Sequence, residues 1–281
     1  MSPNTTRRNF FAGGVAAMAT AASASAAPTI ADHHWGDVRL AVASYSLRQF
    51  SRSQAISIIK GLGIKYVNVK SFHLPYYLSK GDLKKGAAEF EKAGITIVSG
   101  GNISLRKDDE TDIKYHLQYA SDAGLGTVVC APTHKNLSII EKYAKQFDLK
   151  IAIHNHGPED EFYPAAKDVL DRVKGMDPRM GLCYDVGHAA RAGADVIEEI
   201  EMAGDRLHDM HVKDLKSFSD KGSQVEVGKG IMPVSKIFQT LKKVRYPGVV
   251  GLEYEINASH PQKGMAESFA YMRGVLDGQM A

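Results

Sequence analysis

The run K-I-A-I-H-N-H-G at residues 150–157 decides how this chain is read. A short apolar stretch delivers His154, Asn155 and His156, then stops at Gly157. Three later stretches have the same form. G-L-C-Y-D-V-G-H at 181–188 carries Asp185 and His188, and L-H-D-M-H-V-K-D at 207–214 carries His211, Lys213 and Asp214. V-V-G-L-E-Y-E at 249–255 carries Glu253 and Glu255. Strand after strand in the second half ends in a polar, ligand-type residue. A site assembled at the carboxyl ends of parallel strands has this signature.

Working outward, the same unit recurs from residue 38: a β-branched apolar run, a loop, an amphipathic stretch, a glycine. The pattern predicts strands at 38–44, 64–70, 95–100, 127–131, 149–154, 180–185, 207–212 and 248–254. Helices are predicted near 53–62, 80–93, 109–123, 137–147, 165–175, 193–203, 233–244 and 264–276. Gly63, Gly94, Gly124 and Gly204 fall where helices should end, as left-handed caps do. Strands alternating singly with helices indicate an α/β fold with a parallel sheet. Eight such units are the content of a single (β/α)8 TIM barrel, expected to occupy 28–281. An open doubly wound sheet lacks support: Ala43-Ser44-Tyr45-Ser46 follows the first strand where a glycine-rich dinucleotide turn would stand.

Residues 1–27 read as a twin-arginine signal peptide. Thr6-Arg7-Arg8-Asn9-Phe10-Phe11 precedes a mildly apolar Ala/Gly stretch and Ala-x-Ala triplets, with cleavage expected near Ala26 or Ala27. The expectation is therefore a periplasmic or secreted protein that engages the Tat export machinery and has no membrane segment after cleavage. The formal charge is +3, and Arg7 and Arg8 supply part of it, so the remainder is close to neutral. A nucleic-acid partner is not expected from that balance. Cys130 and Cys183 fall in alternate strands and read as small buried hydrophobes, not a disulfide. A homo-oligomer is compatible with the sequence.

Side chains two apart share a strand face. His154 pairs in this way with His156, Asp185 with Cys183, His211 with Asp209 and Lys213, and Glu253 with Glu255. If His154, Asp185, His211 and Glu253 point into the barrel mouth, two imidazoles and two carboxylates converge. That set suits one divalent metal ion, with Mn, Zn, Mg, Fe and Co all compatible. Lys213 would face the same pocket, either binding a substrate oxygen or forming a salt bridge with Glu255 or Asp185. Asp214 reads as a loop or cap residue, Gly228-Lys229-Gly230 as a tight loop with a weak anion-cradle signal, and 157–161 as a solvated acidic turn. The aromatics of 71–77, with His73 among them, stand at the barrel mouth, and Trp35 precedes the first strand as a plug for its base.

At these residues the chain resembles the xylose isomerase-like barrel superfamily, in its branch of sugar (phosphate) isomerases and epimerases. The resemblance covers 38–276 and is carried by Asp185-Val-Gly-His188, His211-Val-Lys-Asp214, Gly228-Lys-Gly230 and the Y-P-G-V-V-G-L-E run at 246–253. It implies metal ligands from the fifth to eighth strands, which Asp185, His211 and Glu253 match. The first position departs: His154-Asn155-His156 stands where the family usually has Glu-Asn-His. The family's acid/base pair is two glutamates, so only Glu253 carries over. His156, His188, Lys213 or Glu255 must supply its partner.

The resemblance implies an isomerase or epimerase of a keto-sugar, working by proton abstraction beside a carbonyl through an enediolate. Catalytic roles are expected for Glu253, His156 and Lys213, and substrate contacts for His188, Glu255 and His73. The alternatives are a lyase that eliminates from a keto-glycoside or dehydrates an inosose, an endonuclease IV-like phosphodiesterase, and a non-catalytic sugar-binding barrel. Export favours an unphosphorylated substrate.

Overall fold

The computed structural model describes Met1 and residues 38–280. The signal sequence at 1–27, its cleavage point and Trp35 lie outside these residues. Eight parallel strands close into a barrel in chain order. They are β1 (Arg39–Ala43), β2 (Tyr66–Val69), β3 (Thr96–Leu105), β4 (Thr127–Pro132), β5 (Lys150–His154), β6 (Met180–Asp185), β7 (Leu207–Val212) and β8 (Val249–Leu252). Closure is made by β1 and β8, whose register runs from Arg39 opposite Val249 to Val42 opposite Leu252. Helices α1 (Arg52–Gly61), α2 (Lys80–Lys92), α3 (Glu110–Asp122), α4 (Leu137–Phe147), α5 (Ala166–Val173), α6 (Val186–Arg191), α7 (Val196–Ala203), α8 (Val234–Lys243) and α9 (Gln262–Met280) join or follow them. Among the described residues no helix is long and apolar enough to cross a membrane.

Two different interiors result from strand alternation. Outward-facing Ile151, Ile153, Leu182, Tyr184, Met210, Val212 and Val250 pack under helix residues such as Phe90, Phe238 and Phe269 in one continuous apolar cluster. Inside the barrel the apolar content is small: Val129, Ala152 and Cys183. Beside it runs a buried polar chain, in which Asn68 Nδ2 donates to Ser99 Oγ at 2.8 Å and Ser99 Oγ donates to Asp209. Both cysteines are buried and free.

Local chemistry sets the helix limits. Ser51 and Gln54 form a reciprocal capping box at α1, and Asp195 accepts from the Ile197 and Glu198 amides at α7. At Gly63, Gly94 and Gly124 the following residue bonds back to the helix in a Schellman pattern, as with Ile64 N–H to Ile59 O. Gly204 departs from that expectation. Its φ of 49° is paired with a ψ of −131°, and it opens a short 3-10 turn into β7 in place of a left-handed cap.

Three further differences from the sequence reading bear on the site. First, β3 does not stop at Gly100. Its register shifts between Gly100 and Ile103, after which Ile103 and Leu105 pair with Cys130 and Pro132. Gly101 makes the bulge possible: a Cβ there would stand 2.0 Å from the Val129 carbonyl oxygen. The bulge aims Asn102 into the barrel mouth. Second, Asp185 is at once the last residue of β6 and the N-cap of α6, its Oδ1 accepting from His188 N–H at 2.9 Å. Third, a two-residue antiparallel pair, Asp214–Leu215 with Gln224–Val225, follows β7.

Asp214 is fully buried there. Its carboxylate accepts from the amides of Leu215, Gly228, Gly230 and Met232 at 2.8–3.0 Å. The Gly228 and Gly230 amides thus do form an anion cradle, and the anion in it is a side chain of this protein. Asp214→Ala is expected to leave these buried donors unpaired and to cost at least about 3 kcal/mol. Denaturant unfolding of the variant beside wild type checks this.

Candidate active site

Barrel register brings the four candidate donors to one level. His154 lies opposite Cys183, Asp185 opposite His211, and Glu253 continues β8 with its amide bonded to the Val212 carbonyl. His154, Asp185, His211 and Glu253 each offer one atom, and these four atoms all lie within 4.8 Å of one another. His154 Nε2 is 3.0 Å from His211 Nδ1 and 3.9 Å from Asp185 Oδ2, and His211 Nδ1 is 3.6 Å from Glu253 Oε2. A tetrahedral metal with bonds near 2.1 Å requires donor spacings of about 3.4 Å, which these separations bracket. All four residues are buried, and Asp185 Oδ2 makes no aligned hydrogen bond. The donor set therefore fits a divalent ion. His154, Cys183 and His211 also converge, but burial drives the Cys183 thiol well above its ordinary pKa and Asp209 pushes it further, so it offers no thiolate.

The electrostatics complete the fit. Lys213 Nζ lies 3.0 Å from Asp185 Oδ2, 3.0 Å from Glu253 Oε2 and 3.2 Å from Glu255 Oε2. Burial works against its charge, but Asp185, Glu253 and Glu255 outweigh that and hold Lys213 well above the usual lysine range. Burial likewise disfavours the Glu253 carboxylate, yet Lys213 and His211 keep it ionised, well below the usual range. Burial, seconded by His156, holds His154 well below its ordinary value, so the ring is the neutral ligand form. Three carboxylates less one ammonium leave this cluster with a formal charge of −2, and Lys70 lines the same cavity as a further cation. Glu255 is thus part of the charge balance, and the two-carboxylate count drawn from sequence left Lys213 out.

The donors sit at one side of a cavity of about 250 Å³ lined by Tyr45, Lys70, Asn102, His154, His156, His188, Glu253 and Glu255. This is just under the roughly 300–1,000 Å³ of drug-sized sites, matching a single small ring. A larger cleft at the opposite end of the barrel, around His208, Arg245 and Tyr246, contains none of the donors.

The other predicted residues divide. His188 and Glu255 line the cavity, and burial brings the His188 pKa down to about 4. His156 lines it too, with Nε2 accepting from Asn102 Nδ2 at 2.8 Å and Nδ1 at 3.3 Å from Asp160 Oδ2. Asp160 belongs to the turn read as solvated, yet it is buried, paired with Arg106 and bonded by the Phe162 and Tyr163 amides. Lys213 is in the site, tied by the carboxylates as an ammonium.

His73 is a correction. It is 1% exposed and absent from the cavity. Its Nδ1 is 3.0 Å from Ser44 Oγ and its Nε2 3.2 Å from the Leu47 carbonyl oxygen. Ser44 Oγ in turn accepts from the Lys70 amide at 2.8 Å. One neutral tautomer satisfies every group, so His73 braces the start of the β2 loop and does not touch substrate. Of its neighbours, Tyr76 packs edge-on against His116 and Tyr119, while Phe72 and Tyr77 are exposed.

Sequence reasoning missed Tyr45, Lys70 and Asn102. For Lys70 the signal was present, since Y-V-N-V-K at 66–70 is another apolar run ending in a polar group, with Asn68 and Lys70 on one face. Asn102 gave none, because only the bulge aims it.

Comparison with known proteins follows this geometry. A family profile described as xylose isomerase-like TIM barrel matches residues 56–275. The inosose dehydratase of Lactiplantibacillus plantarum is 26% identical over 152 residues, 50% of this chain and 48% of that protein. The chain thus matches about half the length of this curated relative. An uncharacterised protein of Parabacteroides distasonis superposes with a TM-score of 0.66 at 24% identity, over 85% of this chain and 99% of its own. A zinc-bound IolI protein superposes at 0.71 with 18% identity, over 85% and 98%. A D-psicose 3-epimerase solved in the presence of D-fructose superposes at 0.68 with 16% identity, over 85% and 99%. At these identities the structural likenesses establish the shared fold.

Two outcomes are expected. Asp185→Ala and His211→Ala should each weaken metal binding by more than the 10–100-fold typical of losing a supporting residue, read as metal content after dialysis with the fold intact by circular dichroism. Burial also lowers the His73 pKa from 6.5. The unfolded chain therefore takes up this proton first, and the stability it contributes is full above 6.5 and lost as the pH falls below it. Wild type should lose more stability than His73→Gln between about pH 7.5 and pH 5. Parallel melting profiles would refute the neutral, braced assignment.

Proposed function

The chain belongs to the xylose isomerase-like TIM barrel family, and from that premise we propose an exported, metal-dependent lyase that eliminates a group from the carbon next but one to a sugar carbonyl. The observation that carries this reading is the asymmetry of the base. Glu253 is ionised in a water-poor cavity, and the position across the donor set, which a second carboxylate would need, holds His154 as a neutral ligand. One carboxylate base with no second carboxylate across from it suits proton removal followed by departure of a leaving group. The likeness to an inosose dehydratase supports the same reaction class. The twin-arginine signature supports export, and export supports an unphosphorylated keto-glycoside or cyclitol.

His154, Asp185, His211 and Glu253 would hold the metal. When bound, it would supply Lewis acidity at the substrate carbonyl and lower the acidity barrier of the neighbouring C–H. Glu253 is the group placed to receive that proton. Lys213 holds Glu253 ionised and fixes the carboxylates of Glu253 and Asp185 through two 3.0 Å contacts. His156, oriented by Asn102 and Asp160, and His188 offer hydrogen bonds to substrate hydroxyls.

Isomerisation or epimerisation is the second reading, favoured by His156. Its half-buried ring lines the cavity beside Glu253 and is oriented by Asn102 at Nε2. Proton NMR in D₂O with metal-loaded enzyme and a panel of ketoses, keto-glycosides and inososes separates the readings. Loss of the aglycone or of water with a new alkene signal is the expected result. Deuterium uptake with the skeleton intact would establish the isomerase, and sugar binding without exchange would leave a binding protein. Glu253→Gln is expected to lower the rate at least about 10²-fold. His154→Glu, which restores a second carboxylate, is expected to raise the ratio of deuterium return to elimination. An unchanged ratio would show that the base asymmetry does not set the outcome.

A further inference from the structure

Resting on the elimination reading, we propose that Lys70 is the catalytic acid that meets the leaving oxygen of the substrate and gives it a proton. The placement is across the barrel from Asp185. The metal donors come from β5, β6, β7 and β8, and β2 lies four strands from β6 around the closed barrel. Lys70 follows β2 directly and lines the same cavity as Glu253 and His154. A ring held between them presents its carbonyl to one wall and its far substituent to the other.

Lys70 is also a cation of the cavity that no carboxylate ties down. Its neighbour Lys213 is fixed by three carboxylates within 3.2 Å. No carboxylate stands within 4 Å of Lys70 Nζ among the described residues, and the ammonium rests 4.8 Å from the centre of the Tyr45 ring. A cation on an aromatic face keeps its N–H donors free for a partner. The main chain beneath it is rigid. Its amide donates to Ser44 Oγ, and its carbonyl accepts from the His73 and Leu74 amides at 2.9 and 3.1 Å. This gives the buried Ser44–His73 pair a purpose that neither residue has alone, because it locates the root of Lys70. Burial lowers the Lys70 pKa, while Glu253 and Glu255 act in the opposite sense, so the proton is easier to give up than that of a surface lysine.

The step balances. The Glu253 carboxylate takes the proton from the carbon beside the carbonyl, and the C–H electron pair becomes the new C=C bond. The C–O bond on the next carbon breaks, its pair leaving on oxygen, and that oxygen takes a proton from Lys70 Nζ. The products are an unsaturated ketone and an alcohol or water. Glu253 is left as the acid and Lys70 as the amine, and water restores both without a redox partner.

The test compares two keto-glycosides that share a sugar ring and differ in leaving group. A methoxy group needs protonation to depart, whereas 4-nitrophenoxide does not. In Lys70→Met the ratio of the methyl to the nitrophenyl rate is expected to fall at least about 100-fold, the usual contribution of a general acid. An unchanged ratio, with both rates reduced equally or not at all, overturns the assignment. If wild type eliminates neither group, the reading beneath it fails, and the proposal with it. A second readout needs neither metal nor variant. Competitive acetylation of wild type, followed by mass spectrometry across pH, should give Lys70 a lower midpoint than exposed lysines such as Lys84, and an ordinary midpoint overturns the assignment.

Discussion

The structure of the mouth depends on one buried ammonium. Lys213 Nζ touches Asp185, Glu253 and Glu255 from β6 and from the end of β8, with almost none of its surface in water. Three carboxylates in so small a space would otherwise repel one another. With Lys213 among them all three are held in place, and Glu253 stays ionised. Removing one partner of such a buried cluster generally costs about 3–5 kcal/mol, because the others are left as uncompensated charges. The same ammonium offsets one of the three carboxylate charges that it touches. Gly187 shows how closely the lysine is housed: a Cβ there would lie 2.4 Å from Lys213 Cγ.

Much of the barrel was legible because its grammar is periodic. Short buried runs of Val, Ile and Leu, separated by amphipathic helices, leave few other architectures. The four donors were legible for the same reason, since strand alternation alone puts His154, Asp185, His211 and Glu253 on inward faces. What was not legible is non-periodic. The bulge at Gly101 turns on one backbone approach to Val129, and it brings in Asn102, which no alternation rule reaches. His73 was misread because an aromatic-rich loop at a barrel mouth looks the same in sequence whether its polar member turns out to substrate or in to Ser44 and Leu47. Asp160 was misread among its acidic neighbours, Arg106 being 54 residues away in the chain.

His154, where the family resemblance implies a glutamate, shapes the cavity beyond one position. An imidazole held neutral by burial does not mirror the Glu253 carboxylate. The two walls then become chemically unlike. One carries donors and a base, and the other carries Tyr45, Lys70 and Asn102. A cavity with a handed distribution of charge favours reactions in which something leaves in one direction. A symmetric pair of carboxylates favours passing a proton back and forth.

The cradle formed by the amides of Gly228, Gly230 and Met232 lies in the segment between β7 and β8, where barrels of this architecture frequently hold the phosphate of a substrate. Here the tenant is permanent. Asp214 fills it with a carboxylate supplied by the chain itself, covalently tethered and therefore at an effective concentration that no free ligand matches. The hydrogen bonds that could hold a free anion are spent on the chain's own carboxylate, and they tie the loop to the end of β7.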